Sequence, residues 1–219
     1  MWSSEVTNMI ITGIWETLYM TLVSTLVGYV IGLPMGIILT VSDKDGIKPN
    51  AVLDKILDVI ANIVRSVPFI ILLVLLIPFT RLVVGKSYGS TATIVPLVIA
   101  AAPYIARMVE SSLKEVDAGV IEAARSMGAS NFTIITKVML VEARTSLLVG
   151  ATITLGTILG YSAMSGAVGG GGLGAIAIRY GYTRWQTDIM IVTVILLVIL
   201  FQIFQTIGMK LASNLDRRK

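Results

Sequence analysis

Apolar residues run along this chain in long blocks, and the charges fall between them. Positions 17–42, 87–106, 145–178 and 189–209 hold no charged residue. Each block can cross a hydrocarbon core of about 30 Å, which takes about 20 helical residues. A fifth block, 59–84, carries Arg65 and Arg81, yet its centre FIILLVLLIPF is too apolar to lie in water. It counts as a span, with a local kink at Pro68. The block 145–178 is too long for one crossing. Gly169, Gly170, Gly171, Gly172 and Gly174 near its end predict a helix over about 144–165 and then an irregular loop. The pattern predicts an all-α integral membrane protein, with one transmembrane domain over 1–219. Its five transmembrane helices lie at about 17–41, 59–84, 87–106, 145–165 and 189–209.

Five spans put the two termini on opposite sides, and the basic residues choose the sides. With the N-terminus outside, Lys44, Lys48, Lys55, Arg65, Arg107, Lys114, Arg125, Lys137, Arg144, Lys210, Arg217, Arg218 and Lys219 face the cytoplasm. Only Arg81, Lys86, Arg179 and Arg184 stay outside. This imbalance predicts an outside N-terminus and a cytoplasmic C-terminus. The first 16 residues contain Glu5 and Glu16 but no Lys or Arg, unlike the basic start of a cleaved signal peptide.

Composition agrees with the blocks: 55% of residues are apolar and 14% charged, against about 25% charged in soluble domains. Cys and His are absent, which excludes disulfides, thiolate and imidazole catalysis, and the usual zinc, copper and haem sites. No catalytic residue, cofactor or metal ligand is expected. A net charge of +4 is too small to suggest nucleic acid. Two local patterns carry no chemistry. Gly169, Gly171 and Gly174 fit G-x-G-x-x-G without a preceding strand. Gly85-Lys86-Ser87 resembles the end of a phosphate loop, but its required first glycine is Thr80.

The longest stretch between spans is the cytoplasmic loop 107–144, which carries five basic and five acidic residues. Asp117 can cap a helix over 118–127, and Gly128 can end it in the left-handed conformation. Val120, Ile121, Ala124 and Met127 then form an apolar face, opposite Glu122, Arg125 and Ser126. Such a helix can lie on the lipid interface or on the chain's own spans, or it can dock into a partner. The residues alone leave both readings open.

One motif in this loop is specific. EAARSMG, at 122–128, is followed nine residues later by Val138, Met139 and Leu140. It resembles the EAA signature of the membrane subunits of ABC importers, EAA-x3-G-x9-I-x-L-P. Val138 stands where Ile is usual and Val141 where Pro is usual. The second departure favours a continuous helix from the loop into span four. Segments 65–85, 101–110 and 160–174 extend the resemblance to the methionine-importer permeases of bacterial ABC systems. The resemblance implies a type I importer fold in the bacterial cytoplasmic (inner) membrane, with 118–127 as the coupling helix. It also implies a homodimer, two cytoplasmic ABC ATPase subunits and an extracytoplasmic methionine-binding protein, with ATP hydrolysed by the partner. Under it, Val120, Ile121, Glu122, Ala123, Ala124, Met127 and Gly128 would couple to the ATPase.

Within the membrane, Gly28, Gly32 and Gly36 form a doubled G-x-x-x-G that lets another helix approach, either of the same subunit or across a dimer seam. In span four, Thr154, Thr157, Tyr161 and Met164 share one face, while Thr152, Gly156, Gly160 and Ala163 make a small-residue face. The first set suits the lining of a pathway and its gate. The alternative is that the hydroxyls bond their own backbone and the methionine fills a gap. Arg65 can snorkel to the cytoplasmic surface, in contact with membrane lipid or in a functional role. No Asp or Glu lies in the middle of a span. That weighs against an ion-coupled secondary transporter or channel, and no Ser–Lys or Asp pair at membrane depth supports an intramembrane enzyme.

Overall fold

The computed structural model describes residues 4–215, and every regular element among them is helical. Arg217, Arg218 and Lys219 lie outside the described residues. The chain runs through α1 (Ser4–Ser42), α2 (Ala51–Ser66), α3 (Phe69–Leu75), α4 (Ile77–Val84), α5 (Ser90–Lys114) and α6 (Ala118–Ser126). It continues with α7 (Asn131–Thr133), a π-helical stretch (Ile134–Met139), α8 (Leu140–Glu142) and α9 (Arg144–Ser165). After a 3-10 turn come α10 (Gly172–Ile176), a second π-helical stretch (Ala177–Tyr182) and α11 (Thr187–Leu215).

The first span is longer than its charge-free block. Helix α1 has 39 residues and passes Glu5, Glu16 and Pro34 without a break. It tolerates Glu16 because that carboxylate has work at the far end of the fold: Oε2 accepts the Gly172 N–H at 2.7 Å. Thr17 Oγ1 accepts the next amide, Leu173 N–H, at 2.9 Å. Two side chains of α1 thus satisfy the free amides at the start of α10.

Helices α1 and α5 pack along the glycine stripe. A Cβ added to Gly28 would lie 2.9 Å from Ala101 Cβ, and one on Gly32 would lie 2.6 Å from the Ala102 carbonyl oxygen. The doubled G-x-x-x-G is therefore used inside the subunit. Close backbone approach of this kind maximises dispersion contact where lipid removes the hydrophobic drive between helices.

The fifth sequence block, 59–84, departs most from its expectation. It is not one helix but parts of three, because Val67 turns extended before Pro68 and the chain breaks again at Leu76. Helices α2 and α3 meet at 101°. Pro68 lacks an amide hydrogen and pushes its neighbour out of the helical region, so the predicted kink is a corner. Helix α5 in turn runs on to Lys114 and absorbs the start of the expected loop, with Pro96 and Pro103 inside it. The stretch after span four is more ordered than the expected irregular loop. Only Gly169–Gly171 break the helical path, and the chain is helical again from Gly172 to Tyr182.

Charged side chains gather at one end of the bundle. Lys114 pairs with Asp43 at 2.6 Å and with Glu110 at 2.8 Å. Arg107 pairs with Glu110 at 2.7 Å and with Asp58. These contacts tie the α1–α2 connection and α2 to the end of α5. Hydrogen bonding from the Lys114 ammonium holds the Asp43 carboxyl below its usual range. A depressed carboxyl stabilises the fold above its ordinary pKa and loses that contribution as pH falls through the depressed value. Asp43→Asn is thus expected to lower the thermal midpoint in detergent at neutral pH, and the difference from wild type should close on acidification below the carboxylate range. A difference that persists undiminished in acid counts against the pair.

Candidate functional site

Helix α6 is built as a surface element with both ends fixed. Asp117 accepts the Gly119 N–H at 2.7 Å at its start. At its end, Gly128 takes φ +81°. The Gly128 N–H bonds the Arg125 carbonyl at 3.0 Å, and the Ala129 N–H bonds the Ala124 carbonyl at 3.1 Å. This pair of bonds is the Schellman arrangement, which needs a residue tolerant of positive φ at the first position past the cap. Arg125 Nη2 reaches across to the Ile47 carbonyl at 2.7 Å and fastens α6 to the α1–α2 connection.

The apolar face expected of this helix divides in two. Ala124 is only 5% exposed, in one cluster with Ile134 and Met139, and Ile121 packs partly buried against it. These two side chains hold α6 to its own chain. Val120 and Met127 are exposed, Met127 at 81%, and so are Glu122 and Ala123. At 100° per residue Val120, Ala123 and Met127 form one ridge. Beside it opens a cleft of about 600 Å³ bordered by Glu115, Asp117, Val120, Glu142 and Arg144.

The connection from α6 into α9 is helical almost throughout. Helices α7 and α8, the π-helical stretch between them and a single turn at Ala143 carry the chain from Asn131 to Arg144. The Ala143 amide still bonds the Met139 carbonyl at 2.9 Å, and Leu147 bonds Ala143 at 2.8 Å. Hydrogen-bonded turns thus join α7 to α9.

On α9 the four pathway candidates lie in different surroundings. Thr154 is fully buried and donates to the Gly150 carbonyl at 2.8 Å. Thr157 donates to Ile153 at 3.0 Å. Tyr161 stacks on Phe69 of α3, with ring centroids 4.4 Å apart, and Met164 is exposed. The face passes from the interior at Thr154 to open surface at Met164. The small-residue face also divides. Gly156 meets Phe201 and Gly208 meets Thr152, so this part packs against α11, whereas Gly160 has no neighbour within 4 Å.

Sequence reasoning missed Glu16 and Thr17, whose bonds to α10 cross 156 residues of sequence. The available signal was an acidic residue left at the edge of an apolar block. It also missed the pairing of Asp43, Asp58, Arg107, Glu110 and Lys114.

The described residues thus form a multi-span helical bundle with a doubly capped surface helix ahead of a half-open span. The family model described as the binding-protein-dependent transport system inner membrane component matches residues 28–219, and the chain belongs to that family. A probable D-methionine transport system permease of Vibrio cholerae is 48% identical over 99% of this chain and 96% of its own length. A methionine import system permease of Bacillus subtilis is 45% identical over the full length of both. A solved structure of the MetNI methionine ABC transporter in an inward-facing conformation superposes with a TM-score of 0.97 at 50% identity, covering 99% of this chain and 100% of that one. A structure of an amino acid ABC transporter with histidines, at 22% identity and TM-score 0.73, shares the fold.

Proposed function

We propose that this permease is the membrane subunit of an ATP-driven methionine importer. It works as a homodimer with two cytoplasmic ATPase subunits and an extracytoplasmic methionine-binding protein. The observation that carries the reading is the exposed ridge of Val120, Ala123 and Met127, with Glu122 beside it, on a helix whose other side is anchored to its own chain. An apolar ridge facing water gains stability when a partner covers it. The high identity to methionine permeases over nearly the whole chain supports the substrate. The N-terminus lies outside and the C-terminus in the cytoplasm, the orientation favoured by the basic residues.

ATP closure of the partner moves α6, and the helical connection passes that movement to α9. Thr157, Tyr161 and Met164 border the pathway, and Thr154 supports the face from within. The test is uptake of radiolabelled methionine by cells lacking their own methionine permease that express this chain with its cognate ATPase and binding protein. Uptake above the empty-vector level is expected, and competition by unlabelled D-methionine should lower it. Membrane-inserted complex that hydrolyses ATP but never takes up methionine would overturn the substrate assignment.

The gate gives a second expectation. Met164→Cys should form a disulfide between the two copies more readily than Ala163→Cys, since Ala163 packs against Gly174 of its own chain. Better crosslinking by Ala163→Cys, with Met164→Cys inert with and without ATP, would remove Met164 from the gate.

A further inference from the structure

Helix α2 has a face that the bundle leaves uncovered. Its inner side is held by Arg107, which bonds Asp58 and, at 3.0 Å, Asn62 Oδ1, and by Ala61, which is fully buried. On the opposite side Val52, Leu53, Ile56, Val59, Ile60 and Ile63 are all exposed, Val52 at 71%. At 100° per residue these six occupy a continuous aliphatic face roughly 120° wide. Between the two sides runs an exposed polar edge of Lys55, Asn62 and Ser66. Protein, water and an apolar medium each claim one sector of the helix.

The position of α2 says which apolar medium that is. The corner of 101° at Pro68 sets α2 across the direction of α3. Helix α3 lies against the bundle: Phe69 stacks on Tyr161 of α9, and Leu73 shares a small cavity with Ala92 and Pro96 of α5. Arg107, where α2 is fastened, lies two turns inside the charged end of α5. A helix lying across the spans at the level where charges begin is in the plane of the membrane surface. Lys55 on that polar edge and Arg65 on the side away from the aliphatic face, one turn past Ala61, are both exposed and make no ion pair among the described residues. They are free to meet headgroup phosphates, as basic residues do beside an interfacial helix. The aliphatic face has no aromatic, polar or small residue to set a register with another helix, which fits fluid acyl chains.

The geometry points to α2 as an interfacial anchor, its aliphatic face sunk into one leaflet and Lys55 and Arg65 on anionic phospholipid headgroups. The apolar block 59–84 is then only partly a span. What remains of the block is α3 and α4, residues 69–84 with a break at Leu76.

The chain has no cysteine, so single spin labels report on this directly. Val52→Cys, Ile56→Cys, Ile60→Cys, Ile63→Cys and Lys55→Cys are labelled in the assembled transporter in nanodiscs of phosphatidylcholine and phosphatidylglycerol. Labels at 52, 56, 60 and 63 should be mobile and more accessible to oxygen than to a nickel chelate, with the reverse at 55. Immobile labels that broaden one another by dipolar coupling between copies would make the face a subunit contact, and nickel access at 56 and 60 would place it in water; either overturns the anchor. Native mass spectrometry tests the headgroup contact. The Lys55→Gln, Arg65→Gln double variant should retain at least about twofold less phosphatidylglycerol than Lys86→Gln. Equal retention overturns the role of the two cations.

Discussion

Gly36→Leu is expected to abolish the folded permease, leaving little monodisperse protein after detergent extraction. The obstacle is backbone. A Cβ at residue 36 would lie 2.5 Å from the Ala106 carbonyl oxygen and 2.7 Å from Val109 Cβ, and Gly32 is confined in the same way by Ala102 and Ile105. A flexible side chain could yield, but here two long helices would have to separate along their whole contact. Overpacking a core costs about 1–3 kcal/mol per site and occasionally more. Against backbone and a branched side chain within the α1–α5 contact it should fall at the upper end. Gly160→Ala is the matched control, with no atom within 4 Å of the added methyl, and it should fold as wild type. A Gly36→Leu protein with wild-type yield and thermal midpoint would contradict the packing of α1 on α5.

The second large effect separates coupling from folding on a single helix. Met127→Asp alters an exposed side chain, so insertion and thermal stability should stay near wild type. Burying a methionine at a partner surface contributes about 1.5–3 kcal/mol. Replacing it with a carboxylate should therefore weaken ATPase retention about tenfold or more, the factor that 1.4 kcal/mol sets. Methionine uptake should fall accordingly. Ala124→Asp should behave differently, because that side chain is buried against Ile134 and Met139. A carboxylate there costs several kcal/mol of folding, so the variant should be scarce in the membrane rather than uncoupled. Gly128→Val forces a β-branched residue to φ +81°, at about 1–2 kcal/mol, and should loosen the end of α6. Copurification assays, uptake and thermal midpoints distinguish the three. Wild-type uptake and ATPase retention in Met127→Asp would end the docking assignment of the ridge.

The fold was legible wherever one local signal decided it. Asp117 and Gly128 bracketed α6 because a cap and a left-handed stop act within a few residues. The periodic glycines of α1 announced a close helix contact, though spacing could not say whether the partner was α5 or a second copy. What stayed hidden depended on residues far apart in sequence. Nothing near Glu16 indicates that its partner is Gly172, and apolarity alone could not separate a corner at Pro68 from a mild kink within one helix. The exposed and buried halves of the α6 face were equally inaccessible. Val120, Ile121, Ala124 and Met127 share one apolar pattern, and only the packing of the π-helical stretch beneath them decides which face inward.

The bonds from Glu16 and Thr17 to the start of α10 have a consequence in time. Their partners are 156 residues apart, and chains are synthesised at about 5–20 residues per second. Roughly 8–30 s of synthesis therefore separate Glu16 and Thr17 from Gly172 and Leu173, the residues that they meet. Until then the Thr17 hydroxyl is already held by its own helix, donating to the Gly13 carbonyl at 2.7 Å, while the Glu16 carboxylate still lacks the Gly172 amide that it accepts in the finished fold.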